Sequence, residues 1–270
     1  MIDATSPQAT HDAIAVGLMC KPPRPGLTKT RLATRVGAVL AAELSECFLR
    51  DVARLIASLE VSDRVQGFGL YTPADAAAEI RALLPASFRL APQQGADFCV
   101  VVHRAIAGLL EQHPAGAILI NADSPTLPTA ILAEAVRALR PPGERVVIGP
   151  ARDGGYYLIG LKTAYWALFR DMPWSTPEVC RITIDRARAI SLPVVQLPVW
   201  YDVDDASSLA DLFDELGGAQ PGFIGLQHRN SSDQGAKAYP PAPAPATRAL
   251  LQSRPMIGLR PNEMFEMEGD

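Results

Sequence analysis

The stretch Ala117-Ile-Leu-Ile-Asn-Ala-Asp-Ser-Pro125 runs through four apolar residues without a charge and then stops at Asn121, Asp123 and Pro125. A short, continuous apolar run bounded by turn residues reads as a strand buried on both faces, as in a parallel sheet. A helix would need more length, and Pro125 blocks its continuation. Asp123 is then delivered just past the carboxyl end of a strand, where open α/β sheets bind their ligands. A turn aspartate can equally bond its own backbone. Its weight therefore depends on what else converges there.

Outward from this strand the chain alternates. Residues 13–20, 65–71, 88–91, 144–148, 156–161 and 194–197 read as further strands. Residues 32–59, 73–84, 98–112, 128–139, 176–190 and 206–216 carry helical spacing, the last closing at Gly217-Gly218. Strand and helix in alternation specify a layered α/β sheet with right-handed crossovers. Residues 1–12 read as a loose arm and 13–218 as one packed domain. The Pro/Ala-rich residues 219–270, with Tyr239-Pro-Pro-Ala-Pro-Ala-Pro-Ala246 at their centre, read as a largely disordered tail. Met256 to Phe265 is slightly apolar, with no indication of where it would dock.

Composition narrows the function. A 48% hydrophobic share supports a sizeable core, and a net charge of −4 gives no field for nucleic acid or an anionic membrane. The apolar run at 13–20 is too short for a membrane span or signal peptide. Cys20, Cys47, Cys99 and Cys180 lie far apart, which opposes a zinc knuckle or disulfide framework and fits a cytoplasmic, reducing setting. The four histidines are scattered, and neither G-x-S-x-G nor G-x-G-x-x-G occurs.

Three segments carry chemistry. Directly after the first strand, Lys21, Arg24, Lys29 and Arg31 crowd a proline-rich loop that also holds Gly26 and Thr30. Such a loop suits a phosphate chain, with lysine as a point charge, arginine as a fork and free N–H groups at a following helix start. A merely solvated basic turn is the plainer reading. Gly26-Leu-Thr-Lys29-Thr30 lacks the glycine beside the lysine that a P-loop needs. Second, Asp153-Gly154-Gly155-Tyr156-Tyr157 between two strands is either a tight turn or a close approach to a ligand with Asp153 as hydroxyl acceptor. Third, Trp200-Tyr-Asp202-Val-Asp204-Asp205 puts Asp202 and Asp204 on one face of an extended run. With Asp123 they would form an oxygen site for Mg²⁺ or Mn²⁺. Alternatively, Asp204 or Asp205 caps the helix that follows.

In this order the segments resemble a group of bacterial glycosyltransferase-A-like proteins, related to the phospholactate and molybdenum-cofactor guanylyltransferases. The matching stretches are Lys21 to Leu32, Asn121-Ala-Asp-Ser-Pro125, Gly149 to Leu161, Met172-Pro-Trp-Ser-Thr176 and Asp202-Val-Asp204. The resemblance implies a single Rossmann-like domain of glycosyltransferase-A type, with a mostly parallel sheet between helices. It implies an activated nucleotide or nucleotide-sugar held by Lys21, Gly26, Lys29, Thr30, Arg31 and Asp97. Asp123, Lys29 and Arg31 would be catalytic, Asp153, Gly154, Gly155, Tyr156 and Trp174 would bind substrate, and a small-molecule acceptor would be the second partner. Asp123, Asp202 and Asp204 would hold Mg²⁺ or Mn²⁺. Glycosyl transfer leads, with nucleotidyl transfer and an inactive nucleotide-binding relative as alternatives. The chain departs from the pattern at Gln94-Gly-Ala-Asp97-Phe-Cys-Val-Val101 and at Asn121 and Ser124.

Overall fold

The structure is a computed structural model that describes residues 12–218 and 239–254. Its centre is a seven-stranded sheet. Strand β1 (Ile14–Cys20) leads through α1 (Thr30–Val36) and α2 (Ala38–Ala57) to β2 (Val65–Tyr71). A short 3₁₀ turn and α3 (Ala77–Leu83) precede β3 (Arg89–Pro92), and α4 (Phe98–Gln112) precedes β4 (Ala117–Ile120). Then come α5 (Thr129–Leu139), β5 (Val146–Pro150), β6 (Tyr156–Leu161), α6 (Trp166–Phe169), α7 (Val179–Ala189), β7 (Val194–Gln196) and α8 (Ala206–Leu216). A last described helix, α9, spans Pro245–Ser253.

The strand order is β3-β2-β1-β4-β6-β5-β7, and only β6 runs against its neighbours. Every residue of β4 is buried, as its unbroken apolar run requires of a strand covered on both faces. On one face Leu32, Leu44, Phe48, Ile131, Val136 and Leu212 bring α1, α2, α5 and α8 onto the sheet. On the other, Val102, Ile106, Leu109, Leu168 and Ala187 bring α4, α6 and α7. Helices therefore cover both faces of the same strands.

Register brings the chemical segments to one edge. Leu18 of β1 lies opposite Ile120 of β4, so the loop from Lys21 and the turn at Asp123 leave side by side. Because β6 is antiparallel, its amino end meets the carboxyl end of β4, with Ile120 opposite Leu158. Asp153 and Gly155 are thus carried to the same edge. A bridge between Ala151 and Trp200 draws Asp202 and Asp204 in beside them.

The expected single helix over 32–59 is two helices, broken at Gly37, whose φ of 83° belongs to a region that side chains disfavour. The short α6 has too little sequence to show a period.

The tail reading is corrected for the part described. Tyr239 to Arg254 is not disordered. Ala242 N–H donates to the Thr126 carbonyl at 2.9 Å, and α9 lies against α2 with Leu251 and Thr247 buried. The anchor is Asp51, a carboxylate of α2 that is only 4% exposed. It accepts from the N–H groups of Ala246 and Thr247 at 2.9 and 2.8 Å and from the Thr247 hydroxyl at 2.7 Å. A side chain of α2 thereby caps a helix nearly two hundred residues away, which no local pattern reveals. The 1–12 arm, apart from Asp12, and Met256 to Phe265 lie outside the described residues.

Replacing Asp51 with Ala leaves the first turn of α9 without its acceptor. The full chain should lose about 3 kcal/mol in urea denaturation, and truncation after Gly218 should also lower the midpoint. Unchanged midpoints in both would show that α9 contributes nothing to the fold.

Candidate active site

The edge where the motifs meet opens into a cleft of about 1070 Å³. Lys21, Lys29, Thr30, Arg31, Asp123, Asp153, Gly155, Tyr156, Trp174, Asp202 and Asp204 all line it. The sequence thus named eleven of its lining residues from segments up to 183 positions apart, from Lys21 to Asp204.

Lys29 organises the charged side. Its backbone sits in the left-handed region, φ 50° and ψ 45°, just before α1, a conformation that costs a non-glycine residue about 1 kcal/mol or more. This turn directs a side chain only 5% exposed into the acids. Its ammonium lies 2.5 Å from Asp123 Oδ1 and 2.8 Å from Asp204 Oδ1, and donates to the Val203 carbonyl at 2.7 Å. Three acceptors match the three N–H donors of an ammonium. Burial disfavours the charge, but Asp123 and Asp204 outweigh it and hold the Lys29 pKa above its usual value. Arg31 donates to Asp204 Oδ2 at 2.9 Å and keeps a largely exposed guanidinium.

Asp202 has different surroundings. Its Oδ1 accepts from Asn121 Nδ2 at 2.8 Å and from the Ser124 hydroxyl at 2.6 Å. Burial pushes its pKa up to about 6, opposed by those hydrogen bonds and assisted by the nearby Asp123 charge. Asn121 and Ser124, read in the sequence as departures from a pattern, are thus the residues that hold this carboxylate. The signal lay in their spacing, three apart around a turn, but Asp202 is eighty residues further on.

The capping alternative is settled between neighbours. Asp205 caps α8, accepting from Ser208 N–H at 2.9 Å in a reciprocal box, which leaves the Asp204 side chain to Lys29 and Arg31. Arg24 is not one of the residues lining the cleft and pairs instead with Glu79.

Three expected site residues serve the fold in this structure. Asp97 caps α4, its Oδ1 accepting from Val100 N–H at 3.0 Å. Gly26 turns the basic loop at φ 78° in open space. Gly154, at φ 91°, makes room for the Pro177 carbonyl, against which an added Cβ would collide. None of the three lines the cleft. The expected trio of metal ligands is divided as well. Lys29 stands between Asp123 and Asp204, and Asp202 Oδ1 is engaged elsewhere. Among the described residues, no group of three or more His, Cys, Asp or Glu side chains is disposed to hold a metal ion. In this arrangement the acids do not fit a shared divalent ion.

The opposite wall is aromatic. Phe98, the first residue of α4, meets Trp174 edge to face with ring centroids 4.8 Å apart. Tyr156 meets the same indole at 6.2 Å, and Trp174 Nε1 donates to Cys99 Sγ at 3.2 Å. Asp153 Oδ1 accepts from Gly155 N–H at 2.9 Å, closing the turn that enters β6. The sequence reading singled out Trp174 and Tyr156 but passed over Phe98 and Cys99, whose positions in an ordinary amphipathic helix hid them.

A single α/β domain with a seven-stranded, mostly parallel sheet flanked by helices is what these elements define. The chain belongs to a family of uncharacterized proteins conserved in bacteria (DUF2064), whose family model matches residues 55–176. A crystal structure from Desulfovibrio desulfuricans G20, provisionally described as a nucleotide-diphospho-sugar transferase, is 30% identical. That match covers 89% of this chain and 94% of the other, with a TM-score of 0.72. More distant are a CMP:2-keto-3-deoxy-manno-octonic acid synthetase complexed with CTP (10% identity, 76% of this chain and 99% of that one, TM-score 0.48) and a 4-diphosphocytidyl-2C-methyl-D-erythritol synthase from Anaerococcus prevotii DSM 20548 (8%, 74% and 95%, TM-score 0.46). No curated protein matches the sequence. No helix among the described residues is long and apolar enough to cross a membrane.

The Gly154 geometry is directly testable. Gly154→Ala must both strain a positive φ and push the 174–178 loop outward, so stability should fall by about 2 kcal/mol or more. Intrinsic fluorescence should change as Trp174 shifts. A variant that melts and fluoresces like the wild type would show that Gly154 does not set this loop.

Proposed function

We propose that the chain transfers a group from an activated nucleotide, and that the reaction is glycosyl transfer from a nucleotide-diphospho-sugar to a small acceptor. The observation that carries this reading is the cationic side of the cleft. Lys21 and Arg31 project exposed positive charge beside Lys29 at the carboxyl ends of β1 and β4. An anionic diphosphate matches that charge, and Arg31 offers the planar fork suited to phosphate oxygens. The 30%-identical relative, with its nucleotide-diphospho-sugar description, favours glycosyl transfer over its alternative.

In that chemistry the acceptor oxygen forms a bond to the anomeric carbon while the bond from that carbon to the diphosphate breaks. The proton leaves the acceptor hydroxyl for Asp123, whose side chain is partly exposed. The charge developing on the departing nucleoside diphosphate is met by Arg31 and Lys21, with Lys29 fixing Asp123 and Asp204. Nucleotidyl transfer would use the same cations with attack at the α-phosphorus instead.

Products separate the two reactions. The full chain is incubated with nucleotide sugars and with nucleoside triphosphates, with and without Mg²⁺ or Mn²⁺, and the leaving group is identified. Nucleoside diphosphate release from a nucleotide sugar is the expected result, and pyrophosphate release from a triphosphate would replace it with nucleotidyl transfer. Arg31→Ala and Lys21→Ala should each weaken nucleotide binding by about tenfold in calorimetry. Undiminished affinity in both would reduce the loop to a solvated basic turn.

A further inference from the structure

The two walls of the cleft differ in a way that points to what each receives. Among the described residues, the three cations lining it, Lys21, Lys29 and Arg31, all come from the segment between β1 and the first turn of α1. The wall across the sheet carries rings and one carboxylate, Asp153. Phe98 is 47% exposed at the mouth, although a large apolar ring at a helix start gains nothing from solvent. Trp174 is fixed by its hydrogen bond to Cys99 and by the edges of Phe98 and Tyr156. The Tyr156 hydroxyl lies buried with no hydrogen-bond partner. Leu27, 70% exposed, adds an apolar rim on the cationic side of the same cleft.

Resting on the transferase reading above, we propose that this wall is the acceptor subsite and that it takes an uncharged, hydroxyl-bearing ring, the chemistry of a sugar or cyclic polyol. An anion is disfavoured by Asp153, with no cation among the described residues lining this side. A purely apolar chain would leave the second carboxylate oxygen of Asp153 unused. A ring with one flat C–H face and hydroxyls at its rim suits both the rings and the carboxylate, lying against exposed Phe98 and half-buried Trp174 and donating to Asp153. Its position across the strand ends from the cations leaves the diphosphate its own side. The ring then approaches Asp123, on the turn between the two walls.

The sugar of the donor has the same chemistry, so the experiment distinguishes the sources. The full chain is labelled with 5-fluorotryptophan, and the Trp174 fluorine signal is assigned among the three tryptophans with Trp174→Phe. The probes are phenyl β-D-glucoside, phenyl β-D-galactoside and myo-inositol, alone and with saturating UDP or GDP, followed by UDP-glucose and GDP-mannose. At least one neutral ring should shift the Trp174 signal saturably and go on doing so beside bound nucleoside diphosphate. Phe98→Ala, at an exposed position, should weaken that ring about three- to tenfold with nucleotide affinity as the internal control. Failure of every neutral ring to move Trp174 would overturn the proposal. So would a neutral-ring shift that bound nucleotide sugar competes away while nucleoside diphosphate alone does not, since the wall would then hold the sugar of the donor. Ring binding without any nucleotide binding would leave the subsite standing and remove the transferase reading beneath it.

Discussion

A single ammonium joins the parts of this molecule that sequence keeps farthest apart. Lys29 leaves the loop after β1, Asp123 the turn after β4, and Asp204 the segment before α8. The Val203 N–H donates to the Asp123 carbonyl at 2.9 Å while its own carbonyl receives Lys29, so backbone and side chains close the same junction. Without the cation, two carboxylates would face each other near a third with a pKa already raised to about 6. Removing one partner of a buried pair commonly costs about 3–5 kcal/mol. The partial exposure of Asp123 and Asp204 places this junction toward the lower end. The left-handed backbone at Lys29 is the local strain that this arrangement sustains.

That junction also divides the labour among the cations. Lys29 is saturated by protein acceptors, so the cations left for the proposed phosphate are Arg31 and Lys21. Arg24, which the sequence grouped with them, is neutralised by Glu79. Four like charges in one loop therefore serve three purposes, a distinction visible only once their acidic partners are in place.

Legibility followed the range of the interactions. The sheet could be read because β4, β1 and β6 carry their burial in unbroken apolar runs, and because glycine and proline mark their ends. The cleft could be read because aspartates and cations collected where those runs stop. What escaped depends on partners distant in the chain. Asp51 looks like a stray acid in an amphipathic helix until Thr247 arrives. Asn121 and Ser124 look like substitutions until Asp202 arrives. Gly154 looks like a ligand-approach glycine until the Pro177 carbonyl takes its space. Phe98 and Cys99 fit a helix equally well whether or not Trp174 packs against them.

Lys29 is coupled to the acids rather than exposed to solvent. A double-mutant cycle with Lys29→Met, Asp204→Asn and the two combined, read by urea denaturation of the full chain, measures that coupling directly. The structure predicts an interaction energy of about 1 kcal/mol or more between the two sites. Additive effects, agreeing within about 0.3 kcal/mol, would show that the ammonium does not bridge the acids and would remove the foundation of the site described here.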